Sequence, residues 1–345
     1  MKLLRIGITH GDINGISYEL LIKVLQDTEL LEFCTPIIFG SAQIAQATAQ
    51  LLEVEPLPLY IVKSAADAID GRINLVPVCQ DAEPELQLGQ QTEAALQAEA
   101  KSLTAALEAY DHKLIDALIT LPGHLDNDDH SHALSDFIHN AFGSQQQSFD
   151  WICNHQVRTL LLQQPQASTE LGEGLASEQL QQQIAAISFG LRQDFGLLRP
   201  RLAVISDNGR LHSDLIELRE QGITVFGPFD AQAFTEGQWQ HHYDGCLLIG
   251  CPDVRDQLLA DLDPDFTIGY VSGLPVVLAY PTQGISYADA GKGQANEAPL
   301  RHALYAAIDI ARSRFRYQAA TRHPLEKQWV PRGRDDFKLD LTKED

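Results

Sequence analysis

Cysteine, methionine and tryptophan are scarce in this chain, with five, one and three copies among 345 residues. The cysteines, Cys34, Cys79, Cys153, Cys246 and Cys251, are odd in number and form no C-x-x-C pair, which argues against a disulfide framework or a zinc knuckle. In apolar contexts such thiols behave as small hydrophobes. Cations are also few: 25 Lys and Arg against 47 Asp and Glu leave a net charge of -22, which opposes any general affinity for nucleic acid or anionic membrane. No apolar run approaches the ~20 residues of a membrane span, and Arg5 interrupts the N-terminal MKLLRIGITHGDING too early for a signal segment. The expectation is a cytoplasmic protein.

What the chain does have is 44% apolar residues, enough for a substantial core, and a length that suggests two domains at ~150 residues each. Short β-branched runs alternate with amphipathic stretches. LLRIGIT precedes a helical Tyr18–Leu25, PIIFG precedes Ala42–Leu52, and Leu114–Thr120 precedes Leu134–Phe142. The second half repeats the rhythm with RTLLLQ, a helix over Ser177–Phe195, RLAVIS, a helix over Asp214–Gln221, ITVFGP and CLLIG. LPVVLAY and a final helix at Pro299–Arg314 close it, before a charged tail. This alternation predicts α/β units on a largely parallel sheet, as two layered units.

Three stretches carry candidate chemistry. Thr9-His10-Gly11-Asp12-Ile13-Asn14-Gly15-Ile16-Ser17-Tyr18-Glu19 falls where a strand should end and a helix begin, the edge of an open sheet that faces ligands. An ordinary tight turn would read the same way. Gly284–Gly293 offers two close glycines and Lys292, able to hold a cofactor phosphate or to serve as a flexible loop, and it matches neither a Walker nor a dinucleotide pattern. His124–His132 crowds imidazoles and carboxylates, with His130 and His132 spaced to offer two nitrogens to one metal. No third ligand is indicated by spacing, and a solvated loop has the same composition.

Taken together, the glycine-bearing stretches resemble the 4-hydroxythreonine-4-phosphate dehydrogenase (PdxA) family of vitamin B6 biosynthesis, collinearly over about residues 5–325. Thr9, Gly11, Asp12, Gly15, Ile16 and Glu19 match the family's T-x-G-D-x-x-G-I-x-x-E; Gly273-Leu274-Pro275 matches G-L-P; Gly284, Tyr287, Ala290, Gly291 and Gly293 match the H-G-T-A-F/Y-D-I-A-G-x-G loop. Phe195–Val204 and Gly222–Pro228 resemble its central segments. The resemblance implies two α/β/α domains of the isopropylmalate and isocitrate dehydrogenase type, the second inserted in the first. The boundaries implied are 1–128 with 292–325, then 129–291, with 326–345 as tail. A homodimer with the active site in a cleft, or a mixed dimer with an active paralogue, is implied as well.

The departures from the family are concentrated in its chemistry. Family enzymes hold a divalent metal with three histidines and pass a hydride to NAD before decarboxylation. Those positions fall at or beside Pro165, near Arg210, and at Pro252. The substrate-holding lysines fall near Leu125 and Ala260, and an asparagine and an arginine become Gly269 and Leu278. Thr120, Ser135, Asp136 and Asp253 remain as pocket candidates. At the cofactor loop, Gln283 and Ala288 replace the family's histidine and aspartate, while Gly284, Asp289, Gly291, Lys292 and Gly293 are left to bind NAD. The expectation is a metal-free, inactive or repurposed homologue. The alternative is an NAD-dependent dehydrogenase/decarboxylase of a related hydroxy acid with its site relocated to His124–His132 or His241-His242.

Overall fold

Leu4–Thr9 (β1) sends Ile6 and Ile8 to one face of a sheet and Gly7 to the other, where a side chain would collide with Ile115 Cδ1 at 2.5 Å. This strand anchors the first half of the fold. The structure is a computed structural model that describes residues 3–79, 85–124, 131–143, 147–154, 156–162, 173–206, 211–260 and 262–322, apart from the side chains of 131–133, 173–176 and 252–253.

After β1 come α1 (Ser17–Leu25), β2 (Cys34–Gly40), α2 (Ala42–Leu51), β3 (Tyr60–Ile61), β4 (Asn74–Pro77), α3 (Glu93–Asp111), β5 (Ala117–Thr120) and α4 (Ser131–Phe142). The second half runs β6 (Phe149–Cys153), β7 (Arg158–Leu162), α5 (Glu173–Phe195), β8 (Leu202–Ile205), α6 (His212–Glu220), β9 (Val225–Phe229), α7 (Ala231–Glu236), β10 (Gly245–Ile249), α8 (Pro252–Ala260), β11 (Ile268–Ser272), β12 (Leu278–Pro281) and α9 (Ala298–Thr321). Helix starts are chemically marked. Ser41 accepts from Ile44 N at 3.1 Å, Thr92 from Ala95 N at 3.2 Å, and Asp230 from Ala233 N at 2.8 Å.

The strands form one hydrogen-bonded sheet in the order β3-β4-β2-β1-β5-β12-β11-β6-β7-β10-β8-β9. Pairing is parallel at both ends and antiparallel where β11 meets β12 and β6, and where β6 meets β7. The expected parallel sheet is therefore interrupted at its centre. Helices cover both faces: Ile6, Ile8 and Ile119 pack with α1 and α9, whereas Ile37, Phe39 and Leu118 pack with α3 and α4. Ala203, Ile205, Cys246 and Leu248 pack with Phe234, Val254 and Leu258 of α7 and α8. None of the five cysteines is in a disulfide, and burial pushes the Cys34, Cys153 and Cys246 thiols up to about 12, consistent with their reading as small hydrophobes.

A buried ionic network ties α9 to the second half. Arg314 donates to both oxygens of Asp194 on α5, from Nε at 2.7 Å and Nη2 at 2.9 Å, and Nη1 reaches the carbonyl of Pro275 at 2.9 Å. Tyr270 of β11 donates its hydroxyl to the same carboxylate, and burial with that neighbouring charge keeps the phenol protonated. Removing one partner of such a pair strands the other charge away from water. Asp194→Ala is expected to lower stability by about 3–5 kcal/mol, and Asp194→Leu combined with Arg314→Met to recover most of the loss. Urea midpoints of the single and double variants measure both effects.

Candidate functional site

The connection β1-α1-β2 leaves β1 toward one side of the sheet, while β4-α3-β5 returns on its other side. The carboxyl ends of β1 and β5 therefore border a topological switch point, the crevice in which open α/β sheets bind ligands. β12 runs parallel to β5, so the loop that follows it opens at the same edge. Three loops meet there.

The first is the turn after β1. Gly11 has φ +59, and a Cβ on it would lie 2.3 Å from Pro122 O, so only glycine lets this turn approach the β5 loop. Asp12 N donates to Pro122 O at 2.9 Å and Ser17 Oγ to the same carbonyl at 2.8 Å. The Asp12 carboxylate is fully buried. Its Oδ1 accepts from Asn14 N at 2.7 Å, and its Oδ2 lies 2.8 Å from His124 Nε2 and accepts from Tyr287 Oη at 2.6 Å. Tyr287 Oη and His124 Nε2 are themselves 2.9 Å apart. Burial and the bond to Asp12 push the Tyr287 hydroxyl well above its ordinary range, so it stays protonated as a donor. Glu99 of α3 accepts from His124 N at 3.1 Å.

A second carboxylate, in the first turn of α1, pins the loop after β12. Glu19, buried on α1, accepts from Ala295 N at 2.7 Å and Gly293 N at 3.2 Å, and is neutralised by Lys23 at 3.0 Å. Ile16 N donates to Ile285 O at 3.1 Å. Within this loop Gly291 and Gly293 take φ +74 and +70. A Cβ at Gly291 would meet Leu51 and Leu88 at 2.7 Å, so this glycine serves packing within the chain. Gly284 faces open space, and Asp289 and Lys292 are exposed.

The sequence-derived pocket residues are scattered in their surroundings. Thr120 is buried at the end of β5, and its Oγ1 has no hydrogen-bond partner among the described residues. Ser135 is buried on α4, whereas Asp136 next to it is exposed. Asp253 is the second residue of α8, and its side chain is outside the described residues, as is that of Pro252. Leu125, His130, Pro165 and Arg210 lie outside them too, and so does the side chain of His132. His241 and His242 are exposed in a short 3-10 turn, Trp239–His242. Among the described residues no three of His, Cys, Asp and Glu are arranged to hold a metal ion, and no helix is long and apolar enough to cross a membrane.

A family model for the pyridoxal phosphate biosynthetic protein PdxA matches residues 32–307. The chain belongs to this family. It is 34% identical to a 4-hydroxythreonine-4-phosphate dehydrogenase of Bacteroides thetaiotaomicron, with 99% of both chains aligned. It is 24% identical to one of Erythrobacter litoralis, over 90% of this chain and 97% of that relative. Among solved structures, the 4-hydroxythreonine-4-phosphate dehydrogenase of Klebsiella pneumoniae matches with a TM-score of 0.69 at 19% identity, covering 90% of this chain and 100% of the other. That of Burkholderia phymatum matches at 0.66 and 20% identity, covering 90% and 99%. The fold of this PdxA-family chain is the one those structures share.

Two outcomes follow from the local geometry. His10, beside Asp12, donates from Nδ1 to Gly11 O at 2.8 Å, and burial pushes its imidazole down to about 4. An unfolded histidine titrates near 6.5, so between these values the unfolded chain holds the extra proton and stability falls as pH drops, with the loss complete below about 4. Wild type is expected to lose about 3 kcal/mol more than His10→Gln across that window, read from denaturation midpoints at each pH. At Gly15 a Cβ would sit 2.5 Å from Ile285 Cγ2 and 2.6 Å from Ile285 O. Gly15→Ala should therefore cost about 1–3 kcal/mol and speed amide exchange at Ile16.

Proposed function

We propose that this PdxA-family chain keeps the family framework but has lost the metal-dependent oxidation of 4-hydroxythreonine 4-phosphate, and works as a catalytically inactive or repurposed homologue. One observation carries this reading: the metal-binding histidines of the family fall, by the resemblance, at or beside Pro165, near Arg210 and at Pro252. Proline has no side-chain donor atom and a guanidinium is permanently cationic, so this donor set does not fit a divalent ion. The replacements come from three separate segments. Phosphate recognition is weakened in parallel, since the expected lysines fall near Leu125 and Ala260 and the expected arginine at Leu278.

NAD remains in this reading as a ligand. The exposed Lys292 ammonium and the open space at Gly284 suit a phosphate-bearing dinucleotide, and these residues would hold it against the loop after β12. Self-association into a dimer, implied by the resemblance, completes the proposal.

Purified protein supplied with Mg2+ or Mn2+, NAD and 4-hydroxythreonine 4-phosphate is expected to give no NADH above the enzyme-free background. Turnover would overturn the proposal. Metal-stripped protein should still melt at higher temperature with NAD, since a ligand at 100 times its Kd adds about 2.7 kcal/mol, and Lys292→Ala should reduce the shift. No shift in wild type would remove NAD from the account.

A further inference from the structure

Tyr280 stands near the carboxyl end of β12, just before the loop that opens on the crevice. β12 runs parallel to β5 with Leu278 level with Leu118 and Ala279 level with Ile119, so the same register carried one residue further puts Tyr280 beside Thr120, at the edge where open sheets bind ligands. Leu278 and Leu118 pack with Leu134 and Ile138 of α4, and the Tyr280 ring packs against the same cluster. It therefore lies on the face of the sheet that α4 covers.

On that face the ring fills a place where a side chain is missing. Gly269 of β11 is the direct cross-strand partner of Tyr280, and a Cβ on it would lie 2.1 Å from the ring atoms Cε2 and Cζ and 2.6 Å from Cδ2. The backbone at Gly269 does not take a positive φ, so its conformation suits any residue and only the ring demands glycine. The far end of the ring is tethered too. Tyr280 Oη donates to Asp150 Oδ1 at 2.5 Å, and Asp150 belongs to β6, the strand on the other side of β11. The phenol thus lies across β11, seated on a glycine and held by a carboxylate. Beside it, Thr120 is buried, with an Oγ1 that has no hydrogen-bond partner among the described residues. An unmatched buried hydroxyl disfavours the fold, and it is a group that a polar molecule at this edge would engage.

We propose that Tyr280 is a built-in plug: its phenol occupies the substrate half of the crevice between Gly269 and Asp150, shuts out a phosphate ester, and covers a notch that, once the ring is removed, takes one phenol-sized molecule with a hydroxyl for Asp150. That the notch is the substrate half rests on the proposed function, since the resemblance carries the substrate-holding asparagine and arginine to Gly269 and Leu278. The filling of the notch by Tyr280 is independent of it.

The full chain and its Tyr280→Ala variant are titrated with p-cresol and with toluene, followed by ligand-observed NMR. Tyr280→Ala is expected to bind p-cresol saturably with a Kd of about 1–10 mM, a range suited to so few atoms, while wild type and Tyr280→Phe bind none. Toluene should bind the variant about tenfold more weakly, and Asp150→Ala in the same background should erase that preference. Gly269→Ala in the same background puts a methyl group into the notch and should weaken p-cresol binding. Gly269→Ala alone keeps the tyrosine and expels its ring, so in chain labelled with 3-fluorotyrosine the 19F resonance of Tyr280, assigned through Tyr280→Phe, should move to the position of an exposed tyrosine.

A folded Tyr280→Ala that binds no p-cresol, equal affinity of that variant for p-cresol and toluene, p-cresol bound as tightly by wild type, or an unmoved resonance in Gly269→Ala would each overturn the plug. None of these measurements involves NAD, metal or turnover. Failure of the plug would leave the loss of dehydrogenase activity standing, and that loss is decided by the assay already described.

Discussion

The buried carboxylate of Asp12 is the constraint on which the rest of the site depends. Taking a carboxylate fully out of water costs several kcal/mol unless hydrogen bonds replace its hydration. Asn14 N, His124 Nε2 and Tyr287 Oη supply them, and each comes from a different part of the crevice wall. Satisfying one charge therefore fixes three loops at once. Glu19, seven residues further on in the first turn of α1, repeats the device, holding the backbone at Gly293 and Ala295. Asp12 lies in the β1–α1 turn and Glu19 in the first turn of α1, which makes this segment the template for the crevice.

This arrangement separates framework from chemistry. The family-like residues that persist are the ones this packing needs: Gly11 for its positive φ and close approach, Gly15 against Ile285, Gly291 between Leu51 and Leu88, and Glu19 for the loop. In the proposed reading, the residues replaced are those that, in the resemblance, touch metal and phosphate. A fold can keep its loops pinned while its ligand changes, because the two sets of residues overlap little. Tyr287 belongs to both descriptions: it sits in the cofactor loop and closes the hydrogen-bond triangle with Asp12 and His124.

Much of the fold was legible from periodicity. β1, β7 and β8 fall within their apolar runs, β2, β9 and β10 overlap theirs to within two residues, and α1, α2 and α6 lie within a residue or two of the stretches read as helical. α3 was missed because its buried face is built largely from Ala95, Ala98, Ala106 and Ala109, which give little hydropathy contrast. α9 extends to Thr321, beyond the expected Arg314, through a solvent-facing stretch that carries no apolar stripe. β5 begins at Ala117 and not at Leu114, because the Asp116 side chain accepts from Arg5 N at 2.8 Å and the loop before it turns. The antiparallel centre was hidden as well, since β6 and β11 are short apolar strands whose direction is set by their partners.

The site was legible only in pieces. Asp12 and Tyr287 stood out as residues of two glycine-bearing stretches, and His124 as one imidazole in a crowded segment. Their meeting joins positions 112 and 163 residues apart, which no local spacing encodes. The available clue was topological: strands β1, β5 and β12 end at one edge, so the loops after them had to converge.

The most direct test of an intact framework with an emptied metal site is the stoichiometry of divalent ion retained after equilibrium dialysis against Mn2+. The account predicts no stoichiometric ion on a protein whose melting transition is cooperative. One tightly held ion per chain would contradict it, because the donors would then have to come from residues other than the three positions occupied by Pro165, Arg210 and Pro252.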